Sequence, residues 1–212
     1  MGADGVRRGQ DFELSTHGLS PQGTGLIGIL ADSRGDLEAF GAAYELLSGR
    51  GAERFFFAGG WYSDLDNWIA QKRHTASLVS EAQALLRLED KFVRTPDRDS
   101  PNYADPKTGK KALDMLGEVL CCIVHDKNDL DREDLLNATV FFHGNGSEPK
   151  VVQIGPRFFV TPGQLSGVAQ PTCGLVERLD RDLVFSAFTL DGNRIGEPQP
   201  LAIAKRSKLS IK

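Results

Sequence analysis

The side chains of this 212-residue chain that could do chemistry stand at the ends of apolar runs. Asp32 follows the run 26–31 and is succeeded by Ser33, Arg34 and Gly35. Gly59 and Gly60 follow 54–58, and Thr95, Pro96, Asp97 and Arg98 follow 91–94. His125, with Asp126 beside it, follows 119–124, and His143, Gly144, Asn145, Gly146, Ser147, Glu148 and Pro149 follow 139–142. A carboxylate or imidazole at a strand end can hold a cation, move a proton or simply order the next turn. Asp32 before Gly35 suits a loop-ordering or helix-capping carboxylate as well as a catalyst. His125 suits a hydrogen-bonded structural histidine as well as a general acid. Arg34, Arg94, Arg98 and Arg157 would make an anion pocket if they converged, and solvated surface cations if they did not.

These residues need a scaffold, and the chain spells out an α/β one. Residues 1–24 are polar and Gly-rich without apolar periodicity and read as a flexible leader. The run 26–31 is continuously apolar, as a strand buried on both faces would be. Leu37, Phe40, Tyr44 and Leu47 then recur at helical spacing before Gly49 and Gly51, and 54–58 is an aromatic strand. This is a βαβ unit whose functional loops, 32–35 and 59–61, lie at the carboxyl ends of its strands. The segment 61–90 is polar and helix-prone, with Val79, Ala82, Leu85 and Leu86 on one face. A short strand at 91–94 precedes a charged, Pro-rich loop over 95–111. A buried strand at 119–124, a short helix at 132–136 and a strand at 139–142 follow. From 150 onward the texture is strands and turns, at 151–154, 157–160, 173–179 and 183–189. Alternating units first and antiparallel hairpins last predict two stacked, mostly mixed sheets with helices outside, in one domain over 25–204 and with a basic tail at 205–212.

The segment 26–60 (LIGILADSRGDLEAFGAAYELLSGRGAERFFFAGG), with HGNGSEP at 143–149 and Thr161-Pro162-Gly163-Gln164, resembles the metallophosphoesterase superfamily, most closely its small phosphodiesterase branch. The resemblance implies an αββα sandwich. It also implies a two-metal site built from D-x-H-G, G-D, G-N-x-D, an isolated His and G-H-x-H, closed by an N-P-G-S turn that matches 161–164. Set on this chain, the first motif keeps Asp32 and has Arg34 for His. The bridging Asp is replaced by Gly60, and the Asn by Pro96, with Asp97 retained beyond it. The isolated His is His125, and the last two histidines are Asn145 and Ser147. Two of the seven ligand positions, Asp32 and His125, keep a residue able to coordinate. His143 lies one residue ahead of the motif's glycine, so strand alternation sends it to a different face.

A cation at position 34 works against a metal. Two unit charges ~4 Å apart at an effective dielectric of ~20 interact by about 4 kcal/mol, and a dication doubles that. Arg34 would therefore oppose a metal or pair with Asp32. Without a bridging carboxylate, two adjacent cations are hard to hold. The expected reading is a pseudoenzyme with a degenerate site, no catalytic residues and no metal, working as a protein-binding or regulatory module. The retromer scaffold subunit, which resembles this superfamily yet acts chiefly by binding proteins, is the analogy. Two alternatives stand beside it. One is residual phosphodiesterase activity with Mn or Zn on Asp32 and His125, helped by Asp97 or Asn145. The other is a metal-free phosphate or nucleotide sensor using Arg34 and His125.

Trp61, Tyr62 and Trp68, which include both tryptophans of the chain, form a candidate partner surface, since aromatics are enriched in interface hot spots; the alternative is that they pack over the emptied site. The composition, 40% hydrophobic and 25% charged with a formal net charge of −4, suits one full core and disfavours a nucleic-acid partner. No apolar stretch approaches a spanning helix or a signal peptide, so no membrane is expected and a cytoplasmic location is. Cys121, Cys122 and Cys173 make neither a disulfide framework nor a zinc spacing and read as buried thiols. The partner would be an unidentified protein, and an oligomer is compatible with the chain.

Overall fold

Gly28 sits in the middle of an otherwise large-residue strand because its neighbour needs the room: a Cβ there would stand 2.5 Å from Phe55 Cδ1. In the computed structural model, which describes residues 25–61, 63–75, 88–94, 110–179 and 182–201, this strand is β1 (Leu26–Leu30), and it lies at the middle of the first sheet. Helix α1 (Leu37–Gly49) is started by Asp36, whose side chain accepts the Ala39 N–H, and is stopped ahead of Gly51, which holds φ +94°. β2 (Arg54–Phe57) returns parallel to β1. α2 (Ser63–Thr75) and β3 (Phe92–Arg94) complete the first half, β3 again parallel.

The second sheet begins with the hairpin β4 (Lys111–Leu116) and β5 (Val119–Val124). The short helix α3 (Arg132–Asn137), closed by a capping box between Asp131 and Asp134, leads to β6 (Val140–His143). β7 (Pro149–Ile154) and β8 (Arg157–Pro162) form a second hairpin. β9 (Thr172–Leu179), β10 (Asp182–Thr189) and β11 (Arg194–Leu201) cross back to the first sheet. The orders are β11-β10-β9-β1-β2-β3 and β4-β5-β6-β8-β7. The expected pair of mixed sheets with helices outside is therefore present. Two strands escaped the sequence reading. β4 alternates half-buried and exposed residues and β11 carries two prolines, so neither shows the continuous apolar run that marked the others.

Strand alternation divides the large residues between layers. Phe56 and Phe142 meet between the sheets, ring centroids 5.4 Å apart, with Ile29, Ile123 and Val160 around them. Phe55 and Phe57 point the other way, toward α1 and α2, and pack with Phe40 and Trp68. Each such side chain, fully withdrawn from water, stabilises the fold by about 1.5–3 kcal/mol. On the outer face of the second sheet Phe141 packs with Cys122 and Ala138. His143, two residues on, follows Phe141 to that face and is buried. Its Nδ1 has no hydrogen-bond partner among the described residues. Burial pushes its pKa down to about 4, aided by the charges of Lys127 and His125 against the opposing pull of Asp126.

The sheets make their closest approach where β6 ends, since a Cβ on Gly144 would stand 1.8 Å from the Ala58 carbonyl oxygen beyond β2. Gly144→Ala is expected to cost about 3 kcal/mol, because backbone rather than a movable side chain must give way. Gly49→Ala, with open space around it, should be neutral or stabilising; equal denaturant midpoints for the two variants would refute this. His143 supplies a second expectation. The unfolded imidazole takes up a proton near pH 6.5 and the folded one only near pH 4, so stability falls as pH drops through that window, by about 2 kcal/mol at pH 5. Urea titrations at pH 7.5 and 5 should show this loss reduced by about that amount in His143→Phe.

Candidate functional site: a carboxylate locked between two sheets

The strand ends named by the sequence do converge. The Ala58 N–H donates to the Leu30 carbonyl at 2.8 Å, setting the turn after β2 beside the turn after β1. Asp32, buried in that turn, is the centre of the site. Its Oδ1 accepts the Gly60 N–H at 2.8 Å and lies 3.0 Å from His125 Nε2, which comes from the other sheet. Its Oδ2 lies 3.4 Å from Arg34 Nη2. The Asp32 carbonyl accepts the N–H groups of Leu165 and Ser166 at 3.0 and 3.2 Å, so the turn beyond Thr161-Pro162-Gly163-Gln164 closes on it. Burial alone would raise the Asp32 carboxyl pKa. His125, the Gly60 N–H and Arg34 together outweigh it and hold the group below its ordinary value.

Arg34 reaches this position through a left-handed backbone, φ 48°, a conformation that costs a non-glycine residue about 1–2 kcal/mol. Asp64, in the first turn of α2, holds the loop in place. Its Oδ2 accepts both the Ser33 hydroxyl at 2.6 Å and the Gly35 N–H at 2.8 Å. Asp64 is the site residue the sequence reading missed. A carboxylate at the start of a helix is a common capping choice, and nothing local says that it bonds a loop 29 residues away. Arg34 is half-exposed, and a Cβ on Gly167 would stand 3.3 Å from its Nη1. The guanidinium therefore spans the gap between Asp32 and the turn after β8.

The His125 imidazole is flanked by two glycines. A Cβ at Gly60 would stand 2.9 Å from Nε2, and one at Gly144 would stand 3.2 Å from Cδ2. Position 60 is where the superfamily resemblance expects the bridging Asp. With His125 in this rotamer, a side chain there would overlap the ring. On the far side of His125, its carbonyl accepts the N–H groups of Gly144 and Asn145 at 3.0 and 2.9 Å. Asn145 turns its amide to Asp126 Oδ2 at 3.2 Å, and both Asn145 and Ser147 are exposed. Asp126 is held below its ordinary carboxyl value, first by the Asn128 N–H and also by Asn145.

A metal ion would need Asp32 and His125 turned toward it with further donors. Here one Asp32 oxygen faces an N–H and an imidazole, the other faces a guanidinium, and Gly60 has nothing to offer. Among the described residues no three His, Cys, Asp or Glu side chains gather to hold a metal ion. The residues present do not fit the binuclear centre that the resemblance implies. Pro96, Asp97, Arg98 and Tyr62 lie outside the described residues.

Two expectations need correction. Among the described residues, Arg34, Arg94 and Arg157 do not converge on one anion pocket. Arg94 is ion-paired with Asp66 at 2.7 Å, and Arg157 begins β8 at the opposite end of the sheet, its Nε donating to the Leu135 carbonyl. Arg34 and His125 both face the Asp32 carboxylate, so a phosphate drawn to them would meet Asp32. The tryptophans do not share a surface. Trp68 is 2% exposed and packs with Phe40 and Tyr44, whereas Trp61 is 52% exposed and lies on Gly35, its Cζ3 standing 3.7 Å from where a Cβ would be. Helix periodicity decides this, because α2 turns position 68 inward against α1.

No known protein family and no curated protein matches this sequence. Solved structures do. A phosphoesterase from E. coli, Yfce, is similar over 84% of this chain and 100% of its own, at TM-score 0.56 and 20% identity. Vacuolar protein sorting 29 from Cryptosporidium parvum is similar over 82% and 96%, at 0.53 and 16%. Wild-type Vps29 from Entamoeba histolytica, complexed with zinc, is similar over 84% and 99%, at 0.51 and 16%. What is shared at such identities is the architecture, and the chain has the metallophosphoesterase-like fold.

Proposed function

We propose that this domain is a metallophosphoesterase-like module that binds a protein partner and does not hydrolyse phosphoesters. One observation carries the reading: the His125 ring stands in the space that a side chain at position 60 would need, and pairs with Asp32 instead. Function then has to come from surface rather than from metal chemistry. The neighbours in fold include a phosphoesterase and proteins named for vacuolar sorting, so the fold leaves both kinds of role open. Trp61, half-exposed on the rim beside Gly35, is the contact we assign to the partner, because large aromatics are enriched among interface anchors.

The reading is tested first by metal analysis after incubation with Mn and Zn, alongside hydrolysis of an aryl phosphodiester. Substoichiometric metal and no turnover are expected; bound metal with turnover abolished in Asp32→Ala would overturn the proposal. EDTA should leave the melting temperature unchanged. Asp32→Ala should lower stability by about 3 kcal/mol, or roughly 6–12 °C, since it removes the acceptor of the Gly60 N–H and the carboxylate that Arg34 and His125 face. Trp61→Ala should keep the fold and lose the partner recovered by the unaltered domain, and undiminished recovery would remove Trp61 from the interface.

A further inference from the structure

Gly146 is a glycine because the second sheet leaves little room beside it: a Cβ there would stand 2.9 Å from Thr161 Cγ2 and 3.0 Å from its Oγ1. Asn145 precedes it, and of the chain's asparagines it alone stands before a glycine. That pairing has a chemistry of its own. A main-chain nitrogen can attack the side-chain amide carbon of the asparagine before it, and a residue without a Cβ at the attacking position opposes this least. Asn145 is exposed, with buried Gly144 on its other side. Two contacts restrain the pair. The Asn145 amide donates from Nδ2 to Asp126 Oδ2 at 3.2 Å, and the Gly146 N–H donates to the Gly144 carbonyl at 2.9 Å. The second bond closes a three-residue turn centred on Asn145, and a single bond of this kind in a surface turn opens at little cost. The first has a charged acceptor, which makes it the firmer restraint.

We propose that Asn145 is a site of spontaneous deamidation, and that the Asp126 carboxylate is the residue that slows it. In the reaction the Gly146 nitrogen loses its proton and bonds to Asn145 Cγ. The bond from Cγ to the side-chain nitrogen breaks, and that nitrogen leaves as ammonia, so a cyclic imide joins the two residues. Water then opens the imide at one carbonyl or the other, giving aspartate or isoaspartate. One water is consumed, and nothing is oxidised or reduced. Asp126 opposes this twice. It holds the amide that must turn toward Gly146, and its negative charge, 3.2 Å from that amide, disfavours the negative charge that develops as Cγ is attacked. The products act on the turn that carries the close approach of the sheets. Aspartate at 145 would face Asp126 with a like charge where a donor stood, and isoaspartate lengthens the main chain just after Gly144, which lies against the Ala58 carbonyl.

Peptide mass mapping of the full chain, incubated at mildly alkaline pH and sampled over time, tests this, with ion-exchange chromatography following the added negative charge. Position 145 should gain the amide-to-acid mass difference ahead of every other asparagine and yield both products. Asn145→Gln should keep its mass at that position over the same period. Asp126→Ala should convert severalfold faster than the unaltered protein, and Asp126→Asn, which keeps an acceptor and loses the charge, should fall between them. A loosened fold would also speed the reaction, so Arg54→Ala, which removes the ion pair with Asp114 and leaves the turn untouched, is the control and should convert at the unaltered rate. No conversion at 145, earlier conversion at another asparagine, a rate in Asp126→Ala no higher than in the unaltered protein, or equal acceleration by Arg54→Ala would each overturn the proposal.

Discussion

The contact between Asp32 and His125 is the interaction on which the architecture of the site rests. It joins the turn after β1 to the end of β5, and so ties one sheet to the other at the end where their strands finish. Moving a carboxylate out of water is costly unless its hydrogen-bonding positions are filled. Here they are: the Gly60 N–H takes one Asp32 oxygen, Arg34 faces the other, and the Asp32 carbonyl receives two N–H groups from the turn after β8. The carboxylate thereby holds three loops, and the main-chain carbonyl of the same residue holds the turn after β8.

Two glycines make that arrangement possible. Gly144 lets the end of β6 approach the Ala58 carbonyl, and Gly60 leaves room for the imidazole. The Arg34 guanidinium and the Gly60 N–H then supply, from within the chain, part of the compensation that a buried carboxylate needs. Asp64 extends the same logic one shell outward, holding Arg34 in a left-handed conformation that its own backbone disfavours. The same contacts that occupy the Asp32 oxygens leave few donors for a metal among the described residues.

Much of this was legible in the residues. The buried strands announced themselves as apolar runs, α1 by its spacing, though its cap is Asp36 and not the Asp32 that the sequence offered, and Arg34, Gly60, Asn145 and Ser147 by being poor ligands where ligands were expected. Less was legible where a residue's effect depends on something far away in sequence. β4 and β11 lack apolar runs because they are edge strands that bury little. Trp68 looked equivalent to Trp61 until the phase of α2 put one in the core and the other on a loop. Asp64 carried no signal, since an aspartate opening a helix serves equally as a cap.

The sequence by itself determined the class of fold and the residue types that stand at its strand ends, because periodicity and residue chemistry are local properties. Only the tertiary structure decided that His125 faces Asp32 and fills the space above Gly60, and that Arg34 folds back onto the same carboxylate. Those outcomes depend on how two sheets stack and in what register their strands pair, and side chains separated by ninety or more residues meet only once that long-range geometry is set.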